Sequence, residues 1–212
     1  MFKYIFLSLL FYSSSIISAQ KSFVGALEYN ISKVDLISND TLSGKLFIYA
    51  LDSLVRFNYL LADGTRQESI HHIKKRKFLT LLQIDDHFFA VQIIDSSLLQ
   101  DESRFYKTLR RKKIAGLRCN GGKTKHSGRE ESFYYFKKIP NHYFVGQVNA
   151  PGLPTLGRLA TENGWMNFEL QQIDFRPPPI VLFVPDKKYT ILSLNDFLQW
   201  AKTYNDNTPK TN

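Results

Sequence analysis

The sequence predicts a mainly β (α+β) protein built on one antiparallel sheet. Three observations lead there. Apolar and polar residues alternate with a period of two through much of the chain, turn-forming clusters separate these runs at hairpin spacing, and the clearest helical pattern stands alone at the C-terminal end.

In the first run Phe23, Leu27, Tyr29 and Ile31 share one side, against Glu28, Asn30 and Ser32. Leu42, Leu46, Ile48 and Ala50 repeat the pattern, and after Leu51-Asp52 so do Val55, Phe57, Tyr59 and Leu61. Ala62-Asp63-Gly64-Thr65 is a turn of the Asp-Gly kind and leads into a strand from Arg66 to Ile73. Phe78 to Ile84 and Phe88 to Ile94 carry large side chains on both sides, which places them centrally in the sheet and covered on each face.

Ser97 to Leu109 has Leu98, Glu102, Phe105 and Leu109 near helical spacing behind Ser97 as a cap, and reads as the helical cover. Asn120-Gly121-Gly122 and Ser127-Gly128 signal turns, followed by the aromatic strand Phe133 to Phe136. Pro140, Pro151-Gly152 and Pro154 imply a long loop, and compact domains seldom carry one without a use for it. Trp165 to Phe175 returns to strand and is broken by Pro177-Pro178-Pro179 before Ile180 to Val184. In the last segment Ser193 and Asp196 form a variant capping box, and Leu194, Phe197, Leu198 and Ala201 make the apolar stripe to be buried.

Met1 to Ala19 reads as a secretory signal peptide: Lys3, an apolar run from Tyr4 to Tyr12 too short to span a bilayer, then small residues before Gln20. The expected organisation is that leader (1–19), one β-rich domain (20–204) and a flexible tail (205–212), in the periplasm or secreted. The only cysteine, Cys119, forms no intramolecular disulfide and reads as a small buried apolar group.

The net charge of +9 is clustered. Lys74-Lys75-Arg76-Lys77, then Lys107 with Arg110-Arg111-Lys112-Lys113, then Lys123, Lys125 and Arg129 form three basic groups. In an envelope these suit lipid headgroups or other polyanions and not nucleic acid, or they keep strand edges from pairing.

Lys113 to Cys119, Phe133-Tyr134-Tyr135-Phe136-Lys137-Lys138-Ile139-Pro140 and Pro151-Gly152-Leu153-Pro154 occur in the order of an I-x-G-x-x-C strand start, an aromatic strand ending in I-P, and a G-L-P loop. In these elements the chain resembles the GLPGLI-type and related secreted envelope proteins of the Bacteroidetes, departing from the namesake motif at Thr155, where a glycine is expected. The resemblance implies a curved half-barrel of the lipoprotein-carrier (LolA/LolB-like) sort with helices packed on the concave face, and implies no catalytic residues. Asp40-Thr41-Leu42 and Asp52-Ser53-Leu54 also resemble envelope O-glycosylation acceptors.

The chemistry of the side chains points away from an enzyme. His71 and His72 are adjacent, so on a strand they face opposite sides, and His87, His126 and His142 have no ligand spacing; no metal or cofactor is expected. The acidic pairs Asp85-Asp86, Asp101-Glu102 and Glu130-Glu131 adjoin turns or basic runs. The expected function is therefore binding: a lipid or acyl chain in a half-barrel cavity lined near Phe57, Tyr59, Phe78, Leu82 and Phe88. The alternative is an adaptor that docks a partner protein or an anionic surface through Pro151, Gly152, Leu153, Pro154 and the basic groups.

Overall fold

The computed structural model describes residues 22–35, 40–94, 104–126, 129–144, 149–161 and 164–207. Among these, β1 (Val24–Asp35), β2 (Thr41–Leu51), β3 (Leu54–Leu61), β4 (Arg66–His72), β5 (Lys77–Ile84) and β6 (His87–Ile94) form an antiparallel meander. A second meander comprises β7 (Arg104–Ile114), β8 (Leu117–His126), β9 (Arg129–Phe136), β10 (Leu153–Thr161) and β11 (Gly164–Asp174). The two become one curved, open sheet where β11 pairs with β1, from Ala26↔Asp174 to Asp35↔Gly164. A short β12 (Thr190–Ser193) adds parallel to β6 and runs straight into the helix α1 (Leu194–Asn207), so β12 and β7 are the two edges.

Several sequence expectations change. Phe78 to Ile84 and Phe88 to Ile94 are strands with apolar residues on both faces, but they lie near the β12 edge, and β2 and β1 occupy the centre. The helix expected over Ser97 to Leu109 is a strand from Arg104 onward, because pairing with β8 overrides weak helical spacing; residues 95–103 lie outside the described residues. The Asn120-Gly121-Gly122 turn is instead the middle of β8. A Cβ at Gly121 would lie 2.3 Å from Thr108 Oγ1, and one at Gly122 would lie 2.5 Å from the Phe105 ring, so these glycines admit neighbouring side chains. The hairpin turns at Ala115-Gly116, where both φ are positive (45° and 80°). The Ser127-Gly128 turn and the signal segment lie outside the described residues.

In α1 the Ser193 hydroxyl accepts the Asp196 amide at 3.2 Å, as the capping pattern requires. The packed stripe is rotated, however. Phe197, Trp200 and Tyr204 face the sheet, with Phe197 and Trp200 against Phe89 at 5.6 and 4.4 Å, while Leu194 and Leu198 are 40% and 56% exposed. Tyr204, the last residue before the expected tail, contacts Asp85 and His87, and α1 runs on to Asn207; residues 208–212 lie outside the described residues.

The main core gathers side chains from β1 to β3 and from β8 to β11 into one cluster. Its cover is the β9–β10 connection, whose Ile139, Tyr143, Phe144 and Ala150 are buried in that cluster. The expected long loop therefore has a use, and it is to fill the core. Phe144 packs on Tyr29 and Phe168 at 5.3 and 4.7 Å. Tyr29 donates its hydroxyl to the Pro154 carbonyl at 2.8 Å, linking β1 to β10 across β11. Tyr143 accepts the Phe23 amide at 3.0 Å and donates to the Asp52 carbonyl at 2.6 Å, pinning the connection to the end of the β1–β3 unit where β1 begins and β2 turns into β3.

Replacing Tyr143→Phe keeps the ring but leaves the Phe23 amide and Asp52 carbonyl without this partner. The expected loss is about 1–3 kcal/mol of stability with an unchanged fold, read as a lower urea midpoint at constant slope.

Candidate functional site

On the face of the sheet turned away from the main core, Ile70, Leu81 and Ala90 form a second, smaller core with Phe183. Phe183 belongs to a short 3-10 helix, Ile180–Phe183, which Pro177-Pro178-Pro179 delivers across the sheet; proline's fixed φ suits a chain that must cross without pairing. Arg56 clamps this segment. Its Nη1 donates to the Leu182 carbonyl at 2.8 Å, its Nε to Asn58 Oδ1 at 2.9 Å, and its Nη2 pairs with Glu68. All three nitrogens of the fork are thereby used, and the carboxylate on the floor is neutralised in place.

Between β3 to β5 and residues 181–189 this arrangement leaves a cleft of about 720 Å³. Leu81, Val181, Val184 and Tyr189 supply apolar walls, and Arg66, Lys187 and Lys188 stand at its rim with Asp186. Asp186 is already engaged in a turn, accepting the Lys188 amide at 3.1 Å on Oδ1 and the Tyr189 amide at 3.0 Å on its carbonyl. Lys188 Nζ lies 4.3 Å from the Phe88 ring centre, a cation–π contact that holds the ammonium over an aromatic face. Burial is the main cause that raises the pKa of the Tyr189 hydroxyl, so the cleft presents a neutral phenol. The site can therefore hold an anionic group at its rim and an apolar group against its walls.

The residues expected to line a ligand are divided between the two faces. The register Phe57↔Ser69↔Thr80 puts Phe57, Tyr59, Phe78 and Leu82 on the core face, where Phe57 is 3% exposed and the other three are half-buried. Phe88 pairs with Gln83 on the opposite face, beside Lys188 and Tyr189; the residue sharing a face with Leu82 is Phe89. A strand's period of two makes a one-residue offset decisive. Of the expected docking loop only Pro151 is exposed: Gly152, Leu153 and Pro154 are buried where β10 begins. Thr41 is exposed at the start of β2, whereas Ser53 is half-buried in the β2–β3 turn.

Sequence reasoning missed Arg56, Glu68, Lys187 and Lys188. Arg56 and Glu68 each fall on the polar side of an alternating run, and a proline triplet followed by Asp186-Lys187-Lys188 marks a non-strand segment with a basic end; those were the available signals.

No family model and no curated protein matches this chain. Among solved structures, PNGF-II in its P21 space group is similar with a TM-score of 0.48 and 11% identity, over 83% of this chain and 33% of that one. In its C2 space group the values are 0.47 and 14%, over 86% and 32%. The chain spans about a third of the length of those structures.

His71 on the core face sits between Phe57 and Phe78, at 4.7 and 4.6 Å, with its Nε2 hydrogen-bonded to the Ser69 hydroxyl at 2.9 Å. Burial lowers its pKa from 6.5 to about 4. Between those values the unfolded chain binds a proton that the fold excludes, so stability falls as pH drops from 6.5 to 4, by at most about 1.4 kcal/mol per unit. The expected result is that His71→Gln removes this part of the slope, measured as the difference between the two proteins' denaturation free energies over that pH range.

Proposed function

We propose that the protein is an exported, non-enzymatic binding module of the cell envelope that holds an anionic amphiphile in the cleft between β3 to β5 and residues 181–189. One observation carries this reading: the cleft combines apolar walls with Arg66, Lys187 and Lys188 at its rim, while its floor cation, Arg56, is already matched by Glu68. A volume of about 720 Å³ lies within the range of small-molecule sites. The ligand class that suits it has a carboxylate or phosphate head and a short apolar body.

The half-barrel reading, with an acyl chain held against Phe57, Tyr59, Phe78 and Leu82, has less support. Over β1 to β3 and β9 to β11 the core face is filled by Tyr143 and Phe144, and Phe57 is buried in that same cluster.

Titration calorimetry with dodecanoate, dodecanol and dodecylamine separates the readings. The cleft reading expects dodecanoate to bind best and Arg66→Ala/Lys187→Ala to weaken it roughly tenfold, about 1.4 kcal/mol. Equal binding of dodecanol, or a loss produced by Phe78→Ser and not by the cleft variant, would move the ligand to the core face.

A further inference from the structure

The edge strand β7 carries six cations, Arg104, Lys107, Arg110, Arg111, Lys112 and Lys113, and no acid. All six are exposed, and among the described residues none is paired with a carboxylate. Charge on an edge is ordinarily protection against pairing with other chains. Two further features go beyond protection. Leu109, in the middle of the run, is 100% exposed, and Tyr106 is 51% exposed. The register slips between Lys107 and Arg111, so a bulge interrupts the ladder where Leu109 is turned out.

Beneath the bulge is a pocket of about 220 Å³ lined by Thr108, Arg110, Gly121, Lys123 and Ser132. It exists because β8 has glycines opposite the bulge. The Thr108 hydroxyl is buried there without a partner, and a buried unsatisfied hydroxyl calls for one. Of the neighbouring acids, Glu130 is matched by Lys123, and Glu131, which accepts the Ala160 amide, leaves a single negative charge against the six cations of β7, so the field at this edge stays positive.

We infer that the bulged β7 edge docks an anionic lipid surface, with Leu109 and Tyr106 entering the interface and a headgroup phosphate seated over Thr108 and Arg110. An apolar residue fully exposed at the centre of a cationic strand suits a surface that is charged outside and apolar beneath. A soluble polyanion would use the cations and leave Leu109 idle. This inference is independent of the cleft, which involves none of these residues.

The test is co-sedimentation of the purified protein with vesicles of phosphatidylcholine alone, or of phosphatidylcholine mixed equally with phosphatidylglycerol. Heparin binding is measured in parallel, and every variant is made in the same chain so that the N-terminal segment contributes equally. The mixed vesicles are expected to bind and the neutral ones not. Arg110→Gln/Arg111→Gln/Lys112→Gln is expected to weaken vesicle binding about a hundredfold, near fivefold per cation. Leu109→Ser is expected to weaken vesicle binding with heparin binding unchanged, and Thr108→Val to do the same more weakly. Arg66→Ala/Lys187→Ala is expected to leave vesicle binding as it is. All the substituted β7 side chains except Thr108 are exposed, so the fold survives their replacement. If Leu109→Ser binds vesicles as the parent does, or neutral vesicles bind equally, the inference is overturned.

Discussion

The β1–β11 ladder joins two meanders that would otherwise be separate sheets, each with an unpaired central edge. Pairing residues so distant in sequence carries the loop-closure entropy of most of the chain, and burial across the ladder must offset it. Leu27, Tyr29 and Ile31 on β1 meet Phe168 and Leu170 on β11, all buried, and each large side chain taken from water contributes about 1.5–3 kcal/mol. The Tyr29 hydroxyl reaches past β11 to Pro154, and burial raises its pKa well above the ordinary phenol value, so it remains the donor this link needs. Remove the ladder and neither meander retains the face on which Tyr143 and Phe144 pack.

That constraint also decides where a ligand can go. An open sheet has two faces, and this one fills the first with its own β9–β10 connection. The second face is covered only in part, over Ile70, Leu81 and Ala90, by a segment that its prolines prevent from becoming a strand. A partly covered face with a cationic rim is a cleft. Arg56 acts there as a structural tie, since its three nitrogens are committed to Asn58, Leu182 and Glu68; selectivity rests with Arg66, Lys187 and Lys188.

Much of the fold was legible from alternation and turn chemistry. The first four strands, the Asp63-Gly64 turn and the Ser193 cap follow from local rules and are found as expected. The misreadings share one cause, which is that a tertiary neighbour used a residue for something its local signal did not announce. Gly121 and Gly122 make space for Thr108 and Phe105 and form no turn; the α1 stripe turns toward Phe89 because aromatic rings at 197, 200 and 204 outcompete leucines at 194 and 198. The candidate site was least legible. Phe88 and Phe89 are equally apolar, and only the register with β5 says which one faces the core.

The order of strands separates the cleft from the basic edge. The cleft spans β3 to β5 and the basic strand is β7, eight places beyond β4 in the sheet, which at ~4.8 Å per strand is on the order of 40 Å along its surface. Exposed charges interact over about 10 Å at 0.1 M salt. The six cations of β7 therefore add little to the field in the cleft, and anion selectivity there must come from its own three rim cations. A protein whose whole positive charge acted as one field would lose affinity at both places together as salt rises. Here the two surfaces have separate charge sets on a shared sheet. The exposed edge should weaken steeply with salt, while the cleft, with its apolar walls and a rim ammonium held over an aromatic ring, should weaken less.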